Sequence, residues 1–232
     1  MSEATDKVSS VSTIPIFPLP MVLFPGVPLP LHIFEERYRQ MLEDIRRGNN
    51  LFGVSYVEDP SEDEPPPPGH IGCVAEVTEA QTMEDGRSNI LTIGIIRYRI
   101  EEYLERGDQY LVARVSFFED DPEDAEVLRT GSQDVADLFL RVARAVRAIN
   151  DERANLPHIA DTEPQRLSFL VAAAVELDTS VKQILLELSS TAERLERLRE
   201  ILLLVVDNYE ERARMHELAK GNGHSGKKFE IE

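Results

Sequence analysis

Paired carboxylates can do acid–base work when their environments separate their pKa values, so a hydrolase could be assembled here from acidic residues such as Glu35, Glu36 and Glu76. Its mark would be a pocket holding two buried carboxylates, whereas an open apolar groove without them speaks for binding. Gly221-Asn222-Gly223-His224-Ser225-Gly226-Lys227 has the glycine and lysine spacing of a phosphate-binding loop. Lys228, however, replaces the Ser or Thr that Mg²⁺ needs, a polar helix rather than a strand precedes it, and too few residues follow to form the next helix, so it reads as a flexible tail. His32, His70, His158, His216 and His224 are scattered without cysteine partners or an H-E-x-x-H pattern, and no zinc site is visible. There is no G-x-S-x-G elbow. Cys73, the single cysteine, sits in an alternating apolar segment and reads as a small buried thiol. The acidic run Glu119 to Asp124 could attract Ca²⁺ but lacks the spacing and central glycine of an EF-hand loop, which leaves a solvated linker and helix N-terminus. No catalytic residue, cofactor site or metal site is therefore assigned.

The elements that would position any site are legible from composition and pattern. A chain of 232 residues with 42% hydrophobic content can bury one or two sizeable cores. A formal net charge of −18 repels polyanions and argues against nucleic acid, while it favours solubility and basic partners. The N-terminus lacks a basic start and an apolar signal core, and no apolar run approaches the ~20 residues that span a bilayer. The expectation is a cytoplasmic protein with no membrane contact.

From Ile14 to Leu42 prolines punctuate an apolar run that ends in an amphipathic helix. Proline donates no hydrogen bond to a sheet ladder, so Pro18 and Pro20 silence one edge of a first strand, and Pro28 and Pro30 one edge of a second. Each can pair along its other edge, and neither is expected to be an ordinary central strand. Pro25-Gly26 suits the centre of a type II turn, which gives two short strands joined as a proline-edged hairpin. Further strands are predicted near Leu51–Val57, Ile71–Thr82, Ser88–Ile96, Arg97–Leu104 and Tyr110–Phe118, with turns at 83–87 and 106–108. Residues 58–69, rich in proline and acid, read as an extended loop. Helical spacing follows: Val135 to Ile149, a helix with Pro164 in its first turn, a short one opened by a Ser180–Gln183 capping box, and a last helix from Thr191 to Lys220. Leu195, Leu198, Leu202, Val205 and Tyr209 form its a/d-like seam, which either closes an intramolecular bundle or dimerises.

The residues F-P-L-P-x-V-L-F-P-G-x-x-L-P-L-x-I-F-E-x-R-Y resemble the opening of the Lon substrate-binding domain family, which includes the N-terminal domains of Lon proteases, stand-alone bacterial proteins and a related region of cereblon. The likeness continues at Ile71–Val77, Arg97–Ile100, Tyr110–Val115, Lys182–Glu187 and Glu193–Leu195. It implies an α+β protein: an N-terminal antiparallel β lobe over 13–120, PUA-like and partly closed as a barrel with one early helix, then a helical bundle lobe over 121–219, flanked by flexible tails at 1–12 and 220–232. It also implies a binding role toward unfolded polypeptide or a particular protein, in an adaptor or chaperone-like factor. The ATPase and serine-lysine protease domains of Lon have no counterpart in these residues, so no enzymatic activity is expected. Phe17, Met21, Phe24 and Phe34, apolar side chains around the proline-edged segment, are the candidate partner-binding residues; the competing assignment is that they fill the core. The oligomeric expectation is a monomer or weak homodimer, and a structural subunit joined through the last helix is the further alternative.

Overall fold

Pro25 and Gly26 form the expected turn: the Val27 N–H closes on the Phe24 carbonyl at 3.2 Å and Gly26 takes a φ of 77°. The strands on either side, β1 (Thr13–Leu19) and β2 (Pro28–Ile33), do not pair with one another, and the segment is not a hairpin. This is a computed structural model, and it describes residues 2–60, 64–152, 159 and 161–222. The remaining strands are β3 (Leu51–Tyr56), β4 (Ile71–Thr82), β5 (Ser88–Tyr103) and β6 (Leu111–Phe118). They build a 6-stranded sheet in the order β2-β5-β4-β3-β1-β6, with β5 also pairing β6. Pairings thus run round a ring from β1 through β3, β4, β5 and β6, while β2 hangs from the first half of β5. The result is a mixed α+β fold, but not a clean barrel.

The sheet also departs from the purely antiparallel expectation, because β1 and β3 run parallel. Parallel neighbours need a crossover, here supplied by β2 and helix α2 (Glu36–Arg46). β1 moreover lies between two partners, and the stagger of those partners is what lets it keep its prolines. The Val57 N–H donates to the Leu19 carbonyl, so Leu19, Phe17 and Pro15 address β3, while Ile14, Ile16 and Pro18 address β6. β3 begins pairing only at Ile16, past Pro15; β6 stops at Ile16, before Pro18. Each missing N–H faces a place where no ladder partner stands.

The division into units differs from a simple cut after the last strand. One unit holds residues 1–122 and 169–190, the other 123–168 and 191–232. In the first, residues 3–8 form helix α1 rather than a tail, since Ser2 caps it and Val8 is buried. Tyr98 lies in the core with its hydroxyl 2.7 Å from Ser55 Oγ. A β-carbon on Gly53 or Gly72 would come within 2.6 Å of that ring, which is why glycine stands at both positions. Ser88–Ile96 and Arg97–Leu104, read as separate strands, are the single β5. Helix α5 (Thr179–Glu187) belongs to this unit because the buried Gln183 amide donates to the Ile71 carbonyl at 2.9 Å, a use that replaces the expected capping box. Buried Arg97 donates to the carbonyls of Leu186, at 3.0 Å, and Leu188, and to the carboxylate of Asp120.

In the second unit α3 (Ala125–Asn150) packs along α6 (Thr191–Asn222). Asp124 caps α3 by accepting from the Glu126 and Val127 N–H groups, both at 3.0 Å. Leu195, Leu198, Leu202 and Val206 are the fully buried aliphatic residues of α6, beside the buried Arg194. Val206 replaces the expected Val205 because a straight helix of 3.6 residues per turn drifts from a 3.5 repeat. The seam is filled from within the unit, and Arg141 reaches Glu210 at 2.8 Å beside it. Helix α4 spans Pro164–Ala174. His158, His224 and Gly223 to Lys228 lie outside the described residues.

Candidate polypeptide-binding face

The four candidate residues do not converge on one groove. Phe17 is buried, its ring 4.0 Å from that of Tyr38 and 6.0 Å from that of Phe52. Phe24 is buried too, 6.0 Å from Phe169, and its carbonyl sits where a β-carbon on Gly94 would fall. These two are core residues, because β1 turns Phe17 inward beneath α2 and the Pro25-Gly26 turn folds Phe24 back onto β5. Met21, 38% exposed, and Phe34, 60% exposed, are on the surface. Phe34 stacks on His32 at 6.1 Å, and His32 Nδ1 lies 2.7 Å from the Asn89 side-chain oxygen.

That stack stands at one end of a larger surface, the outward face of β2, β5 and β4. The Gly94 N–H donates to the Val27 carbonyl and Thr92 Oγ1 to the Leu29 carbonyl, so odd residues of β2 address β5. Pro28, Pro30 and His32 consequently turn their backbone groups to the outer edge, where no strand pairs among the described residues. Side chains on the outward face fall into rows fixed by register. Pro28 pairs Ile93, which pairs Glu76; Pro30 pairs Leu91, which pairs Glu79; His32 pairs Asn89, which pairs Gln81. Pro28, Pro30 and His32 are exposed and Leu91 and Ile93 half-buried, whereas Ile90 and Thr92 between them are buried. An apolar stripe therefore runs across the middle, flanked by carbonyls on the β2 side and carboxylates on the β4 side. Sequence reasoning missed Leu91, Ile93 and Glu79; the signal was the alternation of Asn89, Leu91 and Ile93 with buried Ser88, Ile90 and Thr92, whose second face is apolar enough to pass for core.

The residues considered for acid–base work are not assembled for it. Glu35 pairs with Arg37 at 2.9 Å and Glu76 with Lys7 at 2.7 Å, and neither they nor Glu36 is buried. Asp120 is a buried carboxylate, but its partner is the Arg97 guanidinium. Among the described residues no group of His, Cys, Asp and Glu is placed to hold a metal ion, and no helix is long and apolar enough to cross a membrane. Cys73 is fully buried, and desolvation pushes its thiol up to about 12.

Residues 13–203 match the family model described as the ATP-dependent protease La (LON) substrate-binding domain. The chain belongs to that family. It is 28% identical over 203 residues to the Lon protease of Dictyoglomus thermophilum, covering 84% of this chain and 25% of the protease. The Lon protease of Azorhizobium caulinodans is 26% identical over 192 residues, covering 80% of this chain and 22% of the relative. The chain thus spans about a quarter of the length of the curated relatives it matches. Its fold is that of a Lon N-terminal domain protein from Xanthomonas campestris, with a TM-score of 0.59 and 24% identity over 81% of this chain and 97% of the other. The N-terminal domain of Mycobacterium avium complex Lon protease gives a TM-score of 0.60 at 18% identity, covering 82% and 97%. The Lon-like substrate-binding domain is thereby established as the chain's family and architecture.

Proposed function

We propose that this Lon-like domain is a non-enzymatic polypeptide-binding module, acting as an adaptor or chaperone-like factor that holds unfolded or exposed segments of other proteins. Family membership gives the class, a substrate-binding module. The observation that carries the reading to particular residues is the solvent-facing Phe34–His32 stack at the end of the half-buried Leu91–Ile93 stripe, on the face bordered by the outer edge of β2, where no strand pairs among the described residues. Half-buried apolar side chains on a sheet face are available to a ligand without local unfolding. The acidic surface directs the module toward proteins rather than nucleic acid, and its proposed working place is the cytoplasm.

The test is fluorescence anisotropy with one labelled protein in two forms, native and permanently unfolded by reduction and alkylation. Saturable binding of the unfolded form alone, with neither cleaved nor consuming ATP, is the expected result. Equal binding of both forms, or of neither, overturns the reading.

A further inference from the structure

We propose that the outward face of β2, β5 and β4 selects polypeptide segments that combine bulky apolar with basic side chains, and holds them through side chains instead of by adding a strand to β2. This rests on the polypeptide-binding reading above and specifies which segments are held and how. The outer edge of β2 looks at first like a place for β-augmentation, which needs N–H groups and carbonyls in alternation. Pro28 and Pro30 remove the N–H at successive outward positions, and of the outward residues only His32 retains one. An added strand would leave its own carbonyls facing prolines. The edge keeps the carbonyls of Pro28, Pro30 and His32, which accept hydrogen bonds and donate none.

Acceptors without donors suit ammonium and guanidinium groups, which are donors without acceptors. The opposite rim of the stripe has the same preference. Glu79 is exposed and forms no ion pair among the described residues, whereas Glu76 beside it already holds Lys7 at 2.7 Å. Neighbouring strands lie about 4.8 Å apart, so the two rims are separated by roughly 10 Å, the width over which a bound segment can seat apolar side chains on Leu91, Ile93 and Phe34 and reach either rim with a Lys or Arg. The formal charge of −18 draws basic segments toward the molecule from a distance and repels acidic ones. Charge complementarity and the proline-blocked edge therefore define one occupant: an extended basic–apolar segment of another protein.

Anisotropy titrations of labelled dozen-residue peptides test this, all with the same Phe and Leu content and with Lys, Gln or Glu at the remaining positions. The Lys peptide is expected to bind about tenfold more tightly than the Gln peptide, and the Glu peptide more weakly still. Glu79→Gln should cut the preference for Lys over Gln by about threefold or more while leaving the Gln peptide unchanged. Phe34→Ser should weaken every peptide, and a Lys peptide with N-methylated backbone should bind undiminished. Both positions are exposed, and urea unfolding midpoints equal to that of the parent establish that the variants are folded. Binding indifferent to peptide charge or to Glu79, or abolished by N-methylation, overturns the inference while the polypeptide reading stands. If no peptide binds although the unfolded protein does, the inference also fails; if the unfolded protein does not bind either, the reading beneath it fails.

Discussion

Replacing Arg97 by Met should cost the first unit about 4 kcal/mol, because the guanidinium is the partner of several groups that cannot reach water. Its side chain is 1% exposed and that of Asp120 5%. Nη1 donates to the Leu186 carbonyl at 3.0 Å and to the Leu188 carbonyl, and the charge stands 4.5 Å from the centre of the Phe118 ring and 5.5 Å from that of Phe169. Methionine fills much of the volume but takes the guanidinium away from a buried carboxylate, and breaking a buried pair on one side costs ~3–5 kcal/mol. Each orphaned carbonyl carries a further ~1–3 kcal/mol if nothing relaxes, and the two costs overlap as the α5 end shifts. Native-state hydrogen exchange of β5 and β6 amides in urea reads this unit by itself. With a urea slope of ~1–3 kcal/mol per M, its midpoint should fall by at least about 1 M. The double variant Arg97→Met with Asp120→Leu removes both charges and should recover at least half of the loss. A single variant within about 1 kcal/mol of the parent, or a double variant that adds a second loss to the first, would refute the claim that Arg97 and Asp120 form one buried unit.

Other outcomes follow from burial and charge. Cys73, fully buried with its thiol pushed up to about 12, should resist thiol reagents at pH 8 until urea unfolds the domain; stoichiometric labelling of the native protein would contradict its placement. Burial holds the His70 imidazole below its usual 6.5, with Glu187 opposing the shift. The unfolded chain therefore takes up this proton first, so the contribution is constant above pH 6.5 and stability is lost as pH falls from 6.5 through the lower native value. His70→Leu should flatten that limb of a urea-midpoint pH profile, and an unchanged limb would exclude the residue. Leu202→Asp places a carboxylate at a fully buried position of α6 and should destabilise the α3–α6 pair by ~3–5 kcal/mol in monomeric protein. If the variant instead changed only the sedimentation coefficient with concentration, the seam would be a dimer interface.

Most of the strands could be read from the sequence because alternation and turn residues agree locally. Gly86 and Gly107, at φ of 82° and 80°, stand in the two turns marked by Asp-Gly and Gly-Asp context. Pairing was less legible, since parity tells which edge a proline blanks but not whether a neighbour happens to stop there. Pro15 and Pro18 are tolerated in a two-partner strand by a stagger that only the tertiary fold supplies. The capping-box pattern at Ser180 and Gln183 misled for a similar reason: a long-range bond to Ile71 outweighs a local cap. At the candidate face, Phe34 was found because it is one of the apolar side chains around the proline-edged segment. Leu91 and Ile93 were not, because a strand apolar on both sides reads as buried until its neighbours are known.

The most direct measurement is an NMR titration of the isotopically labelled chain with the reduced, alkylated protein used above. Amide shifts concentrated in residues 28–34, 76–81 and 89–93 are the expected result. Binding without shifts there, or with shifts confined to the exposed Leu203, Leu204, Met215 and Leu218 side of α6, would place polypeptide recognition elsewhere and contradict the assignment of this face.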